Sequence, residues 1–262
     1  MKTKTLTVGI AAFLMAASII GWAQVARAGD APTTNWNGNV AFGLSLARGN
    51  ANTFLMNASA LAQRAWDQNE LKFGADGQYG LNNWGQKANT NVTPNKAGQS
   101  LSADSIHGFA DYKRLITDRF YGDLNIDGSH DDLAAVRYRL IVGPAAGYYF
   151  IKSDSSKVSL EIGPSFIDEK LGSNTLAYVT MRVTERAEHA FNKGSKIWEQ
   201  VDYLPQVDDF GNYLLNSEVG AEAAFNTRFS LRVVAADKFN SRPAAGRKEN
   251  DITLISALVY KF

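Results

Sequence analysis

The chain has 262 residues, with 27 lysine and arginine residues against 26 aspartate and glutamate residues and a formal net charge of +1. A nucleic-acid-binding surface requires a clear basic excess, so this balance excludes that class of partner. The chain contains no cysteine, which excludes disulfides, iron–sulfur and zinc–thiolate sites, and a lipoprotein anchor.

The N-terminal segment has the features of an export signal. Two lysines precede an apolar run over residues 6–23, and a small-x-small cleavage pattern follows at residues 26–28. An uncleaved anchor is the alternative, because roughly 18 apolar residues approach the length that spans a membrane. The abundance of small residues favours a cleaved signal. We therefore expect a signal peptide over residues 1–28, export through the periplasm, and one domain over residues 29–262.

After this segment, apolar and polar residues alternate in stretches of about ten residues. In the first stretch Trp36, Val40 and Phe42 share one face, and Asn37 and Asn39 share the other. A period of two indicates a β-strand, and about ten residues are enough for a tilted strand to cross a membrane. The pattern recurs about twelve times, in segments that begin near Asn35, Thr53, Glu70, Ser102, Arg119, Val136, Lys157, Ala177, Lys196, Tyr213, Phe229 and Asn250.

Charged residues recur on one face of these segments, strand after strand. In an outer-membrane barrel the polar face lines the interior and the apolar face contacts lipid. The sequence therefore predicts an all-β fold, a transmembrane antiparallel up-and-down β-barrel of about 12 strands in the bacterial outer membrane. The candidate lumen-lining residues are Arg64, Glu70, Lys72, Asp76, Asp104, Asp111, Arg137, Arg139, Glu161, Arg182, Glu218, Glu222 and Arg232.

The lengths of the connections predict how the barrel is oriented. Connections two, four, six, eight and ten are short, whereas connections three, five, seven, nine and eleven are longer. Barrels with both termini in the periplasm alternate short periplasmic turns with longer external loops. The first external connection, residues 49–52, is an exception because it is short. Tyrosine and tryptophan residues cluster near segment ends, as two interfacial belts require.

Two stretches fit the barrel pattern less well. Pro144 and Pro164 fall within the sixth and seventh segments, where a proline removes a ladder hydrogen bond. Each proline follows a glycine, so we expect a paired bulge at this place. Segments eight and nine alternate poorly, because Glu185 and His189 lie on the face opposite Arg182.

The last segment alternates regularly up to the final residue. Ile252, Leu254, Leu258 and Tyr260 share one face, and the chain ends at Phe262. Soluble proteins seldom place aromatic residues at an end that frays, whereas the last strand of a barrel closes the sheet and carries its aromatic residue in the interfacial girdle. We expect Tyr260 and Phe262 to form the signal that the barrel-assembly machinery reads.

Spaced motifs across the chain resemble those of a known family. They are Trp36-Asn37-Gly38 with Gly49-Asn50, the stretch from Tyr121-Gly122 to Arg137, Gly143 to Gly147-Tyr148-Tyr149, and the tail over residues 251–262. Together they are similar to those of the salt-induced outer-membrane proteins of Gram-negative bacteria, domain of unknown function 481. The resemblance implies an outer-membrane barrel and, through the family's name, a link to salt or envelope stress, but no reaction. Pro144-Ala145-Ala146 departs from the glycine-spaced pattern of the family.

The histidines are the residues that would indicate hydrolytic chemistry. His107 shares a predicted strand with Ser105 and Asp111, but residues two apart on a strand are separated by roughly 6.6–6.8 Å, beyond the reach of a nucleophile–base hydrogen bond. We interpret His107 as a polar interior residue. His130 lies in an acidic stretch, residues 127–132, that could hold Ca²⁺ or Mg²⁺ and is more simply a solvated loop. The remaining histidine has no partner pattern, so we expect no enzymatic activity and no cofactor.

The leading functional hypothesis is a narrow channel for small polar solutes or ions. Twelve strands lie between the eight that side chains fill and the sixteen that leave an aqueous channel. Interior charges of both signs could line a water-filled path and set its selectivity, or pair with each other and close it. We expect Arg137 and Arg139 to pair with Glu161 on the next strand.

The alternative hypothesis is a structural barrel with a closed lumen that binds lipopolysaccharide or external partners through its loops. The longest loop, residues 82–101, contains Lys87 and Lys96 but no acidic residue, which would suit lipopolysaccharide phosphates. Folded inward, the same loop would narrow the lumen. The expected partners are outer-membrane lipids, lipopolysaccharide and the barrel-assembly machinery, and we expect a monomer.

Overall fold

The computed structural model describes residues 36–47, 53–82 and 100–262. In these ranges the chain forms twelve antiparallel strands that close into a single barrel, in which each strand pairs with its neighbours in sequence and the last strand pairs with the first. The predicted fold class is confirmed. The predicted signal peptide, the connection at residues 49–52 and most of the loop 82–101 lie outside the described residues.

The strands have 11 to 17 residues, which is long enough to cross a bilayer at a tilt. Their starts agree with the predicted ones, and the largest differences are at the eighth and tenth strands. The strands are β1 (Asn37–Ala47), β2 (Thr53–Trp66), β3 (Asn69–Asn82), β4 (Ser100–Leu115), β5 (Phe120–Asp131), β6 (Val136–Lys152), β7 (Ser156–Leu171), β8 (Asn174–Ala190), β9 (Ser195–Gln206), β10 (Asp209–Ala224), β11 (Phe229–Asn240) and β12 (Asn250–Lys261).

Alternation along each strand gives the barrel an apolar outer face and a polar inner face. On β1, Val40 and Phe42 are 44% and 55% exposed, whereas the intervening side chain at Asn39 is only 1% exposed. On β12, Leu258 is exposed and Val259 is fully buried. A surface this apolar around the whole wall matches the lipid-facing band of a membrane barrel. No helix in the described part of the chain is long and apolar enough to span a membrane.

The two ends of the barrel carry different connections. One end, which we call the turn end, holds the start of β1, the end of β12 and the short turns at residues 67–68, 116–119, 153–155, 191–194 and 225–228. The loop end holds the described connections at residues 132–135, 172–173, 207–208 and 241–249. The expectation that connections five, seven and nine are longer than the turns was wrong, because the flanking strands continue until only four, two and two residues join them. Gly172 supplies the positive φ of +61° for the tight turn at residues 172–173.

The expected bulge at the two prolines is also absent from the β6–β7 pair. The register is the same on both sides, since Val142 pairs with Phe166 and Ala146 pairs with Ile162. Between these two residue pairs the ladder of the two strands is interrupted, but the register does not shift. A methyl group at Gly163 would overlap the backbone of the facing proline, so glycine here allows the two strands to approach closely.

The seam between the first and last strands is the shortest pairing in the barrel. β1 and β12 share four residue pairs, from Asn39↔Lys261 to Phe42↔Leu258. Beyond these pairs, Gly38 and Phe262 exchange backbone hydrogen bonds of 3.1 and 3.0 Å. A Cβ at Gly38 would lie 2.7 Å from the Phe262 ring, so the terminal ring covers this glycine.

Candidate functional site

Most of the predicted lumen-lining residues point into the barrel, because the period of two fixes the side of the wall from which each side chain projects. The structure brings ten of them to the inner face. They are Glu70, Lys72, Asp76, Asp111, Arg139, Glu161, Arg182, Glu218, Glu222 and Arg232.

Arg64 and Asp104 have the outward parity, so the expectation that they line the interior was wrong. The Arg64 guanidinium lies 5.8 Å from the centre of the Trp66 ring, two residues further along the outer face of β2. Asp104 pairs with Tyr79, whose side chain is exposed on the outer face of β3. A long charged side chain near a strand end can extend along the outer wall and keep its charged group at the membrane–water interface. Charge alone is therefore a poor indicator of the inner face.

Arg137 is the third predicted lumen residue that lies elsewhere. It is the extra residue where the β6–β7 register shifts between Val136 and Tyr138. Its side chain is 62% exposed at the loop end and forms a 3.4 Å ion pair with Asp132. The bulge removes Arg137 from the alternation of β6, so its parity in the sequence did not give its direction.

The interior contains a buried ion cluster centred on Glu161, which is 1% exposed. Arg186 contacts one carboxylate oxygen at 2.5 Å and Lys113 contacts the same oxygen at 3.4 Å. Arg182 lies 3.5 Å from the other oxygen. The Tyr121 hydroxyl donates a 2.9 Å hydrogen bond to Glu161. Four strands, β4, β5, β7 and β8, therefore meet at one carboxylate.

A second carboxylate extends this arrangement, which we call the Glu161 cluster. Asp123 accepts a 3.1 Å hydrogen bond from Arg182. The Lys113 ammonium lies 4.3 Å from the centre of the fully buried Tyr121 ring, a distance at which a cation is attracted to an aromatic face. Ions removed from water are costly unless they are paired and hydrogen-bonded, and these contacts provide the pairing.

A second ion cluster, the Glu222 cluster, joins the strands beside the seam. Glu222 accepts hydrogen bonds from Ser230 at 2.8 Å and from Arg232 at 3.0 Å, and it pairs with Lys261 at 2.5 Å. Arg232 also donates to Asn39 at 3.3 Å. This cluster links β10, β11 and β12 to β1 through side chains on the inner face.

Towards the loop end the inner face carries a histidine between two carboxylates. The two ring nitrogens of His107 lie 2.8 Å from Asp76 and 2.5 Å from Asp127. The interpretation of His107 as a polar interior residue agrees with this position, since its side chain is 5% exposed. Both ring nitrogens already have carboxylate partners, so neither is available to activate a serine.

The expected pairing of Arg137 and Arg139 with Glu161 was wrong. Arg139 lies opposite Glu169 in the β6–β7 register and pairs with it at 2.6 Å, whereas Glu161 lies opposite Gly147. The β6–β7 turn at residues 153–155 sets this register, so Glu161 lies close to that turn whereas Arg139 lies towards the far end of β6.

Some members of the interior clusters were not among the predicted site residues. Asp123 and Asp127 alternate with apolar residues along β5, so their pattern gave a usable signal. Arg186 lies on a strand with poor alternation, and Lys113 is close to a turn, so their inward direction became clear only from the strand register.

The interior of the described residues includes three small cavities. One of about 70 Å³ lies at the loop end beside His107 and Arg139, and one of about 120 Å³ lies at the turn end beside Lys261. The third, of about 50 Å³, lies beside Lys113 and Glu70. Within the ranges that the structure describes, no three histidine or acidic side chains are arranged to hold a metal ion.

The sequence was compared with models of protein families. The model described as "Protein of unknown function, DUF481" matches residues 40–262. The chain belongs to this family. The DUF481 chain has no match among curated proteins.

Solved structures of other proteins are similar to the DUF481 chain at low sequence identity. The KdgM porin is 10% identical with a TM-score of 0.46, covering 87% of this chain and 99% of the porin. The NanC porin is 6% identical with a TM-score of 0.46, covering 86% and 97%. The toluene transporter TodX of Pseudomonas putida is 10% identical with a TM-score of 0.41, covering 88% and 89%.

Proposed function

We propose that this protein is an outer-membrane channel for small polar solutes or ions and has no catalytic role. The observation that carries the proposal is an inner face with charges of both signs inside an apolar wall. Opposed charges along the interior of a pore set its ion preference. The Glu161 and Glu222 clusters supply such charges.

The outer face supports a location in a membrane. Near the turn end, the ring centres of Trp66 and Tyr112 lie 6.5 Å apart. Near the loop end, the rings of Tyr213 and Phe239 are stacked with their centres 5.4 Å apart. Aromatic residues at both ends of an apolar band match the two interfacial girdles of a transmembrane barrel. We place the turn end in the periplasm, because the start of β1 and the end of β12 lie there.

The Glu161 cluster occupies part of the described interior. The Tyr121 and Glu161 side chains are almost completely buried inside the barrel, so the Glu161 cluster obstructs the lumen. Conduction in this proposal follows a narrow path between paired ions and requires local rearrangement of side chains.

The burial of the Glu161 cluster also favours a second function. If the Glu161 cluster never rearranges, the barrel is a structural protein with a closed lumen, and its loops bind lipopolysaccharide or external partners. Burial of paired charges supports this reading as well as it supports a closed channel.

Conductance of the refolded chain in a planar bilayer separates the two functions. We expect discrete ohmic steps with a consistent ion preference, and Arg182→Gln should change that preference because it removes a buried interior cation. Arg228→Gln, in an exposed turn, is the matched control and should leave the preference unchanged. Silence from a heat-modifiable, folded barrel would establish the structural function instead. Removal of residues 83–99 tests whether the longest loop narrows the lumen, in which case conductance rises.

We also propose that Tyr260 and Phe262 form the signal for the barrel-assembly machinery. Both rings lie at the turn end, 6.4 Å apart, and Phe262 closes the seam with Gly38. Removing Phe262 is expected to lower the outer-membrane yield several-fold without changing synthesis, as measured by quantitative immunoblotting of membrane and total fractions. Removing the exposed side chain at Phe225 with Phe225→Ala is the control. Normal assembly of the truncated chain would contradict the proposal.

A further inference from the structure

The connection between β11 and β12, residues 241–249, reaches across the opening of the barrel. β12 and β6 stand opposite each other in the ring of twelve strands. Even so, Ala244 of this connection packs against Val136 of β6 and Leu171 of β7. The segment therefore leaves one side of the wall, crosses the loop end and contacts the other side.

The contact at Ala244 is small and apolar. Its side chain is 9% exposed and is surrounded by Val136, Leu171, Ala134 and Ala135. A methyl group removes little apolar area from water compared with a large side chain. This contact is therefore specific in position but weak enough to break and re-form.

Polar contacts hold the rest of the segment at or near the surface. Arg242 forms a 2.7 Å ion pair with Asp209, with side chains 56% and 41% exposed. The Arg247 guanidinium donates to the backbone oxygen of Asp132 at 3.5 Å. Gly246 has a φ of +79°, which allows the chain to turn back towards β12. Exposed ion pairs contribute little and are screened by salt, so they do not lock the segment in place.

A chamber whose lining includes several charged side chains lies beneath the segment. This is the cavity of about 70 Å³ at the loop end, and Pro243, Lys248 and Glu249 form part of its lining. The barrel wall contributes His107 and Arg139 to the same cavity. The segment thus forms part of the roof of the chamber, and its removal would widen the access of solvent to the chamber.

We propose that residues 241–249 are a latch that closes the loop end of the barrel and opens when Ala244 leaves its apolar contact. The effect of the latch on solute flow rests on the proposed channel function, whereas access to the chamber does not. Opening moves a loop and leaves the strand ladders intact, so it requires no rearrangement of the wall.

Two neighbouring alanines provide a matched test. Ala244→Asp places a carboxylate in the apolar contact and should release the latch, whereas Ala245→Asp puts the same group at an exposed position. The chain has no cysteine, so Ser129→Cys in the chamber lining reports access to a membrane-impermeant maleimide. We expect labelling at least tenfold faster with Ala244→Asp and unchanged with Ala245→Asp. Equal rates in all three chains would overturn the latch.

Conductance of the same variants separates the latch from the channel. Faster labelling together with more frequent open events supports both proposals, whereas faster labelling of a silent barrel retains the latch and rejects the channel. Conducting barrels whose labelling and conductance are the same in all variants retain the channel and reject the latch. Replacement of residues 242–248 by a Gly-Ser linker removes the roof without adding a charge, and it keeps the test decisive if Ala244→Asp does not refold.

Discussion

The two ends of the interior are closed by different physical means. In the turn half, Glu161 joins Lys113, Arg182 and Arg186, and all four side chains project from hydrogen-bonded strands. At the loop end, closure depends on a connection held by the side chain of Ala244 and by exposed polar contacts. Each buried ion requires its partners, because its charge would be uncompensated without them. The latch, in contrast, can move away without leaving a buried charge unpaired. We therefore expect the Glu161 cluster to contribute more to the stability of the barrel than the latch does, and the latch to move more readily.

The strongest way to break this comparison is to remove the shared carboxylate. Glu161→Gln leaves three cations without their common partner, and we expect a loss of about 3–5 kcal/mol in the free energy of unfolding, the range for breaking a buried ion pair. Reversible urea unfolding in detergent micelles measures the loss. Glu185→Gln, on the exposed outer face of β8, is the control and should change little. A Glu161→Gln chain as stable as the parent would show that the cluster does not hold the turn half together.

Packing around the cluster can be tested with a single methyl group. A Cβ at Gly147 would overlap the ring of the fully buried Tyr121, so Gly147→Ala should lower the free energy of unfolding by about 1–3 kcal/mol, the usual effect of overpacking. The same substitution at Gly122 meets nothing within 4 Å.

Gly122→Ala is therefore the matched control on the neighbouring strand, and urea midpoints of the two variants give the comparison directly. Equal midpoints would mean that the turn half is loosely packed, in which case its closure is no more permanent than that of the latch.

The smallest effect is expected at the polar attachment of the latch. The Arg242–Asp209 pair is largely exposed, so Arg242→Ala should change the free energy of unfolding by only about 0–1 kcal/mol. Any remaining effect should shrink at high ionic strength, because salt screens exposed charges. Urea unfolding at low and high salt measures both. A loss above this range that salt does not reduce would indicate that the latch is a fixed part of the barrel.

The sequence predicted the wall of the barrel better than its interior contacts. Glu161 and Glu222 were placed on the inner face because alternation alone determines the side of a strand. The partners of these residues depend on the register between strands, which pairs Arg139 with Glu169, and on contacts between strands that are not neighbours, such as Lys113 with Glu161. Alternation within a single strand indicates neither.

The path of the latch could not be predicted from the sequence, for a different reason. The alternation of β11 and β12 predicted a connection between them, and its length was evident from the sequence. Its course across the barrel depends on a contact between Ala244 and Leu171, and an alanine in a loop has no sequence signal for such a contact. The sequence hypothesis gave the inward role to the longer loop, residues 82–101, most of which lies outside the described residues.

The four-pair seam between β1 and β12 has a consequence for the order of folding. Each of the other pairings joins strands adjacent in sequence, whereas Val40↔Tyr260 joins the two ends of the barrel, and contacts across a long stretch of chain form late because they require loop closure. Until then, β1 and β12 are free edges that can pair with another molecule. We expect amide hydrogen exchange to be faster at the seam than between β7 and β8. The time for which a nascent barrel is vulnerable to aggregation is then set by how quickly its first and last strands meet.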